Sequence, residues 1–375
     1  MMMFRIVTLL IFCAITLQGV QVSAQFDALN LPADLYVLLN DGIVQRYGRG
    51  AAGVEAVTPP DEFVIDFAVS QDGRQISYRT EAGLIIADLD APETARQVDT
   101  MAGYPPLRGR GFTMAWSPQG DAIAYTTADG VRVYYTIIGA FATITQPNLQ
   151  GLSWSPDGMY LVGEAGSNIW WIYRRDGSQF ALQAAIPSSY GLEWVTNRVP
   201  VFAPHDGGLL TMNLAAANAQ AALLDNAAVY RYPTLAPDGR LYFFRRLASE
   251  EETPEGYGTL VALSPGTPQV EVLGQTPIDL GGNLRWGPGA GVMVAFEGGV
   301  LALFDPRTGQ GFPLPVTNAV AYAWGPYPPP DSAAPPDVTA EAIFPETFPT
   351  LDPATQIPGI GPATEETLDA QQTQT

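Results

Sequence analysis

Lysine is absent from this 375-residue chain: all 18 basic residues are arginines. That excludes a Schiff-base lysine and a phosphate-gripping lysine. Histidine occurs once, at His205, so neither a three-histidine metal site nor an H-E-x-x-H helix can be built. Cysteine also occurs once, at Cys13. With a single thiol there is no intramolecular disulfide and no cysteine-based zinc site. No G-x-S-x-G nucleophile elbow is present. Positive charge is scarce too: 38 acidic residues give a formal charge of −20. So acidic a chain repels phosphate backbones and anionic headgroups, which argues against nucleic-acid and peripheral membrane binding.

The long apolar run is confined to the N-terminus. Arg5 precedes an apolar stretch over 6–17, and Val22-Ser23-Ala24 supplies small residues for cleavage. This is the pattern of a secretory signal over residues 1–24, cut after Ala24. Cleavage would remove Cys13 and leave no stable membrane insertion, although the same pattern is compatible with a retained anchor. Export makes the expected location secreted or periplasmic. At the other end, residues 326–375 are rich in Pro and Thr and hold eight acidic residues and no basic one. Such a composition predicts disorder, with Ile343, Phe344 and Phe348 as a small apolar island.

Between these ends, Gly (38) and Pro (33) are plentiful, as expected of short strands joined by turns. One segment recurs. Trp116-Ser117-Pro118-Gln119-Gly120 and Trp154-Ser155-Pro156-Asp157-Gly158 are near copies. Pro237-Asp238-Gly239 keeps the second half, and Ser70-Gln71-Asp72-Gly73 keeps Ser, Asp and Gly. Trp286 and Trp324 are each followed by Gly-Pro, and Trp194 keeps only the ring. The marker falls at 69, 116, 154, 194, 235, 286 and 324, with gaps of 38 to 51 residues. That is the period of a four-stranded propeller blade. Trp should pack between neighbouring sheets, and the Pro and Asp-Gly pair should form the tight reversal into the next strand.

These W-S-P-D-G repeats resemble those of the TolB-like and WD-like propellers of exported bacterial proteins, over residues 34–325. The resemblance implies a docking platform rather than an enzyme. The unit after Trp324 has no further strands, whereas residues 35–57 carry three that precede the first marker. The expected fold is therefore an all-β, seven-bladed propeller closed by pairing of N- and C-terminal strands, with six or eight blades as alternatives.

Two insertions point to a binding face. The loops 99–111 and 248–257 both fall on the side of the second-to-third-strand turns. Tyr104, Arg108 and Arg110 on the first, and Tyr257 on the second, are candidate contacts for a protein or peptide partner. His205-Asp206 is either a polar hairpin turn or a general base with its orienting carboxylate. The expected function is a monomeric, non-enzymatic binding propeller with no cofactor or metal. The alternative is a metal-dependent hydrolase or lyase with carboxylates and His205 around the central channel.

Overall fold

The structure, a computed structural model, describes residues 31–48, 53–100, 113–146, 149–165, 169–215, 219–250, 253–267, 269–281 and 283–326. The expected leader 1–24, residues 327–375 and the candidates Tyr104, Arg108 and Arg110 lie outside the described residues. No helix among the described residues is long and apolar enough to cross a membrane.

Seven antiparallel sheets form the seven blades of a propeller. The innermost strands are Asp66–Val69, Met114–Trp116, Gln150–Trp154, Ser189–Thr196, Ala228–Leu235, Asn283–Trp286 and Ala319–Trp324, which number blades 1 to 7. Blade 7 is composite. Its innermost strand Ala319–Trp324 pairs with Leu35–Leu39, which continues into Val44–Tyr47 and Val54–Ala56. The Gly325 N–H donates to the Asp34 carbonyl at 2.8 Å, so both ends of the ring leave from the same spot.

Strands of this chain read as nearly continuous apolar runs because both faces of each sheet are covered. One cluster of buried apolar side chains fills each of the seven junctions between neighbouring blades. The marker tryptophans add a directional link at three junctions. The indole N–H of Trp116 donates to the Ala68 carbonyl at 3.2 Å, and that of Trp154 to Ala115 at 3.1 Å. Trp286 donates to Tyr232 at 2.7 Å. Each ring thus bonds to the innermost strand of the preceding blade while filling the gap between sheets.

The rest of the motif builds the turn. Ser155 Oγ donates to Asp157 Oδ1 at 2.6 Å and accepts the Tyr160 N–H at 2.9 Å. Asp157 Oδ1 also accepts the Met159 N–H at 3.0 Å. Gly158 sits at φ 67°, where a side chain is strained. Ser70, Asp72 and Gly73 repeat this geometry. In blade 2, where Gln119 replaces the acid, Ser117 Oγ donates instead to Asp121 Oδ1 at 2.6 Å. In blade 5, Asp238 receives the Arg240 N–H at 3.1 Å beside Gly239. These residues shape blades.

These turns, with the turns between third and fourth strands, make the lower face. The second-to-third-strand turns and blade-to-blade connections make the upper face. Blade 4 carries Pro200 in its second strand, Val199–Pro204, where the missing N–H falls beside a register shift between Trp194 and Thr196.

Candidate functional site

Blades 4 and 5 depart from the repeat. The innermost strand of blade 4 bulges between Ser189 and Leu192, and that of blade 5 between Arg231 and Thr234. At the second bulge Tyr232 has φ 52°, a left-handed conformation costly for a residue with a Cβ. It is accommodated because the facing residue is Gly191. A Cβ there would lie 3.2 Å from the Tyr232 Cα and 3.0 Å from the Pro233 Cδ. The two strands thus approach closely, and the strained backbone re-aims the side chains on either side of it.

Those side chains form a layered stack toward the upper face. The Arg231 guanidinium lies over the Tyr190 ring at 4.0 Å. Tyr190 in turn meets the His205 ring, with centroids 4.1 Å apart. These three residues, with Arg245, Arg246, Glu255, Tyr257 and apolar neighbours, line a cavity of about 90 Å³. Arg246 Nε donates to the Thr253 carbonyl at 3.0 Å and so holds the inserted loop. Tyr257 is held by pairing with Asp279 of the short strand Ile278–Asp279. The lining carries three guanidiniums and one carboxylate, the reverse of the chain's overall balance. A small, partly apolar recess with clustered arginines suits a carboxylate or similar anion flanked by apolar surface.

Below the stack, Glu193 crosses the junction. Burial pushes its carboxyl up to about 7, against hydrogen bonds from Thr234 and from the backbone of Leu235 and Trp194, which favour the ionised form. A more deeply buried acid lies across the ring. Asp66 on blade 1 is pushed up to about 6 by burial, partly opposed by Arg79 and Arg285. Its Oδ2 accepts the Thr113 hydroxyl, and Oδ1 accepts the Phe67 N–H at 2.9 Å. Arg79 is fully enclosed and held down at about 10 by burial. Nearby, Asp99 accepts the Tyr125 hydroxyl and sits 3.1 Å from Arg132 Nε, tying blade 1 to blade 2.

Asp66 lines a channel-side cavity of about 170 Å³ together with Tyr322, Trp116 and apolar residues. His205 lines the upper-face cavity, and the two linings share no residue. Among the described residues, no group of three or more His, Cys, Asp or Glu is arranged to hold a metal ion. The structure therefore brings His205 and Tyr257 together in one recess. Asp206 is exposed on the adjacent turn and does not line that recess.

Tyr190, Arg231 and Glu193 carry no direct sign of a site in one dimension. A signal was present in the loss of the motif: the fourth unit keeps only Trp194, and the fifth has Leu235 in its place. The Tyr232-Pro233 pair opposite Gly191 marks the irregularity itself.

The sequence matches no family model and no curated protein. Solved structures do match. One is a functionally unknown protein from Desulfotomaculum acetoxidans, at 11% identity over 78% of this chain and 99% of that one, with a TM-score of 0.53. Another is from a mitotic checkpoint complex, at 14% identity over 75% of this chain and 91% of that one, with a TM-score of 0.50. A third is an oligogalacturonate lyase from Vibrio parahaemolyticus, at 12% identity over 75% of this chain and 86% of that one, with a TM-score of 0.48. At such identities the likeness is one of fold: this chain is a seven-bladed β-propeller.

Proposed function

We propose that the protein is an exported binding propeller whose upper face takes an anionic group of a peptide or protein partner. The carrying observation is the Arg231–Tyr190–His205 stack in the recess between blades 4 and 5. Arginine and tyrosine are frequent interface anchors, and a guanidinium already stacked on a ring is pre-organised to receive a carboxylate. The resemblance of the repeats to TolB-like propellers supports a docking role, and the leader-like N-terminus supports export. The enzymatic alternative needs carboxylates and His205 together at the channel, whereas His205 and Asp66 line separate cavities.

The test uses labelled hexapeptides ending in Asp or Glu, titrated into the full chain by fluorescence anisotropy, with C-terminally amidated Asn and Gln counterparts as controls. Binding should require the acid and should weaken at least tenfold in Arg231→Ala, with a smaller loss in Tyr190→Ala. Equal binding of acidic and neutral peptides, or an Arg231→Ala variant that binds like the parent, would rule the recess out as an anion site.

A further inference from the structure

The lower face carries a second, larger recess that the proposed function does not use. It lies between blades 3 and 4, has a volume of about 390 Å³, and its lining includes Asp157, Met159, Arg174, Arg198 and Leu214. Its two arginines, Arg174 and Arg198, are both exposed. Elsewhere on the molecule Arg46 is held by Glu55 and Asp90, Arg175 by Asp121, and Arg240 by Asp238 and Glu271. Arg174 and Arg198 have no carboxylate partner among the described residues, in a chain with about twice as many acids as arginines. Asp157, the acid in the lining, is committed to its own turn through Ser155 and the Met159 N–H. Met159 is 39% exposed beside them, which gives the recess an apolar patch next to its two cations.

We infer that this recess seats the chain's own acidic segment, residues 331–352. Charge is the first argument: the segment holds Asp331, Asp337, Glu341, Glu346 and Asp352 and no basic residue. Its apolar island, Ile343, Phe344 and Phe348, lies among these acids and matches a recess that sets Met159 and Leu214 beside two guanidiniums. Position is the second. The last innermost strand runs toward the lower face, and Pro326 lies against the lower-face turn of blade 1, where a Cβ on Gly73 would be 2.8 Å from its Cγ. The segment therefore starts on the face that bears the recess. Reach is the third. Seventeen residues separate Pro326 from Ile343, an extended span of roughly 55 Å. A domain of this size has a radius of gyration of about 19 Å, so any point of the lower face is within range. Tethering keeps the effective concentration near millimolar, which populates a contact too weak to hold a free peptide.

The experiment places a fluorophore on a single cysteine at Thr347 of the full chain, in a Cys13→Ser background, and reads its anisotropy. The parent should show a restrained dye that loosens in 0.5 M NaCl. Arg174→Glu with Arg198→Glu should lower the anisotropy to its high-salt value. Arg307→Glu, an exposed lower-face arginine outside the recess, should leave it unchanged. An unrestrained dye in the parent overturns the inference, as does an equal effect of Arg307→Glu. Displacement of a restrained dye by added hexaglutamate supports it. Binding of hexaglutamate at the recess with no change in the dye would assign the recess to an external acidic peptide and overturn the tail as its occupant. None of these readings depends on Arg231, so the fate of the upper-face recess is separate.

Discussion

Replacing Glu193 by Gln should make the propeller more stable at pH 8 and flatten its response to pH. The carboxyl titrates near 4.5 in an unfolded chain and is pushed up to about 7 by burial at the junction of blades 4 and 5. Below pH 4.5 it is protonated in both states and contributes no pH dependence. Between 4.5 and 7 the folded state keeps the proton that the unfolded state releases, so stability falls as pH rises. Above 7 the penalty is complete. A shift of about 2.5 pH units corresponds to about 3 kcal/mol, and partial access of solvent to the side chain reduces this to about 2. Gln loses one acceptor toward Thr234, Leu235 or Trp194, which costs about 1 kcal/mol. The net gain at pH 8 is then about 1 kcal/mol, or about 2 °C in a domain of this size. Asp66, pushed up to about 6, acts in the same direction over a lower range. The parent's melting temperature should therefore climb as pH is lowered from 8 to 5. It should fall again once the carboxylates held below their usual range, Asp72, Asp121 and Asp238, become protonated. Differential scanning calorimetry of parent and Glu193→Gln from pH 4 to 8 makes the comparison. Parallel curves, or a parent that destabilises steadily from pH 8 to 5, would refute the assignment of a half-buried, neutral-range carboxyl.

Other consequences can be checked by the same unfolding measurements. Gly158→Ala forces a side chain into φ 67° and toward the Gln119 side chain, and should cost about 1–2 kcal/mol. Trp116→Phe keeps most of the junction filled but loses the indole bond to Ala68, for about 1–2 kcal/mol; Trp194→Phe, whose indole N–H has no partner among the described residues, should cost less. Val37→Asp puts a charge at a fully buried position of the closing strand, between blades 6 and 7, and should remove more than 3 kcal/mol and broaden the transition.

The blades were legible because each repeat encodes a local object. Ser155, Asp157 and Gly158 close a turn with bonds confined to residues 155–160, so the motif survives reading in one dimension. The closure was legible for a similar reason: residues 35–57 are strands without a marker, and Trp324 is a marker without following strands. The recess was not legible beyond His205 and Tyr257. Tyr190, His205 and Arg231 come from three different strands or turns and meet only because two bulges bring blades 4 and 5 together. Glu193 and Asp66 are unremarkable letters in an acidic chain, and their burial is a property of the assembled ring.

The seam in blade 7 also sets how the molecule bears load. Leu35 pairs with Trp324, and the Asp34–Gly325 bond lies just outside them, so the two chain ends leave at the same end of an antiparallel pair. Tension applied between the ends would load the seam like a zipper, one rung at a time from Asp34 toward Leu39, rather than shearing all rungs at once. Loaded in that geometry, the ring should open at its ends under modest force.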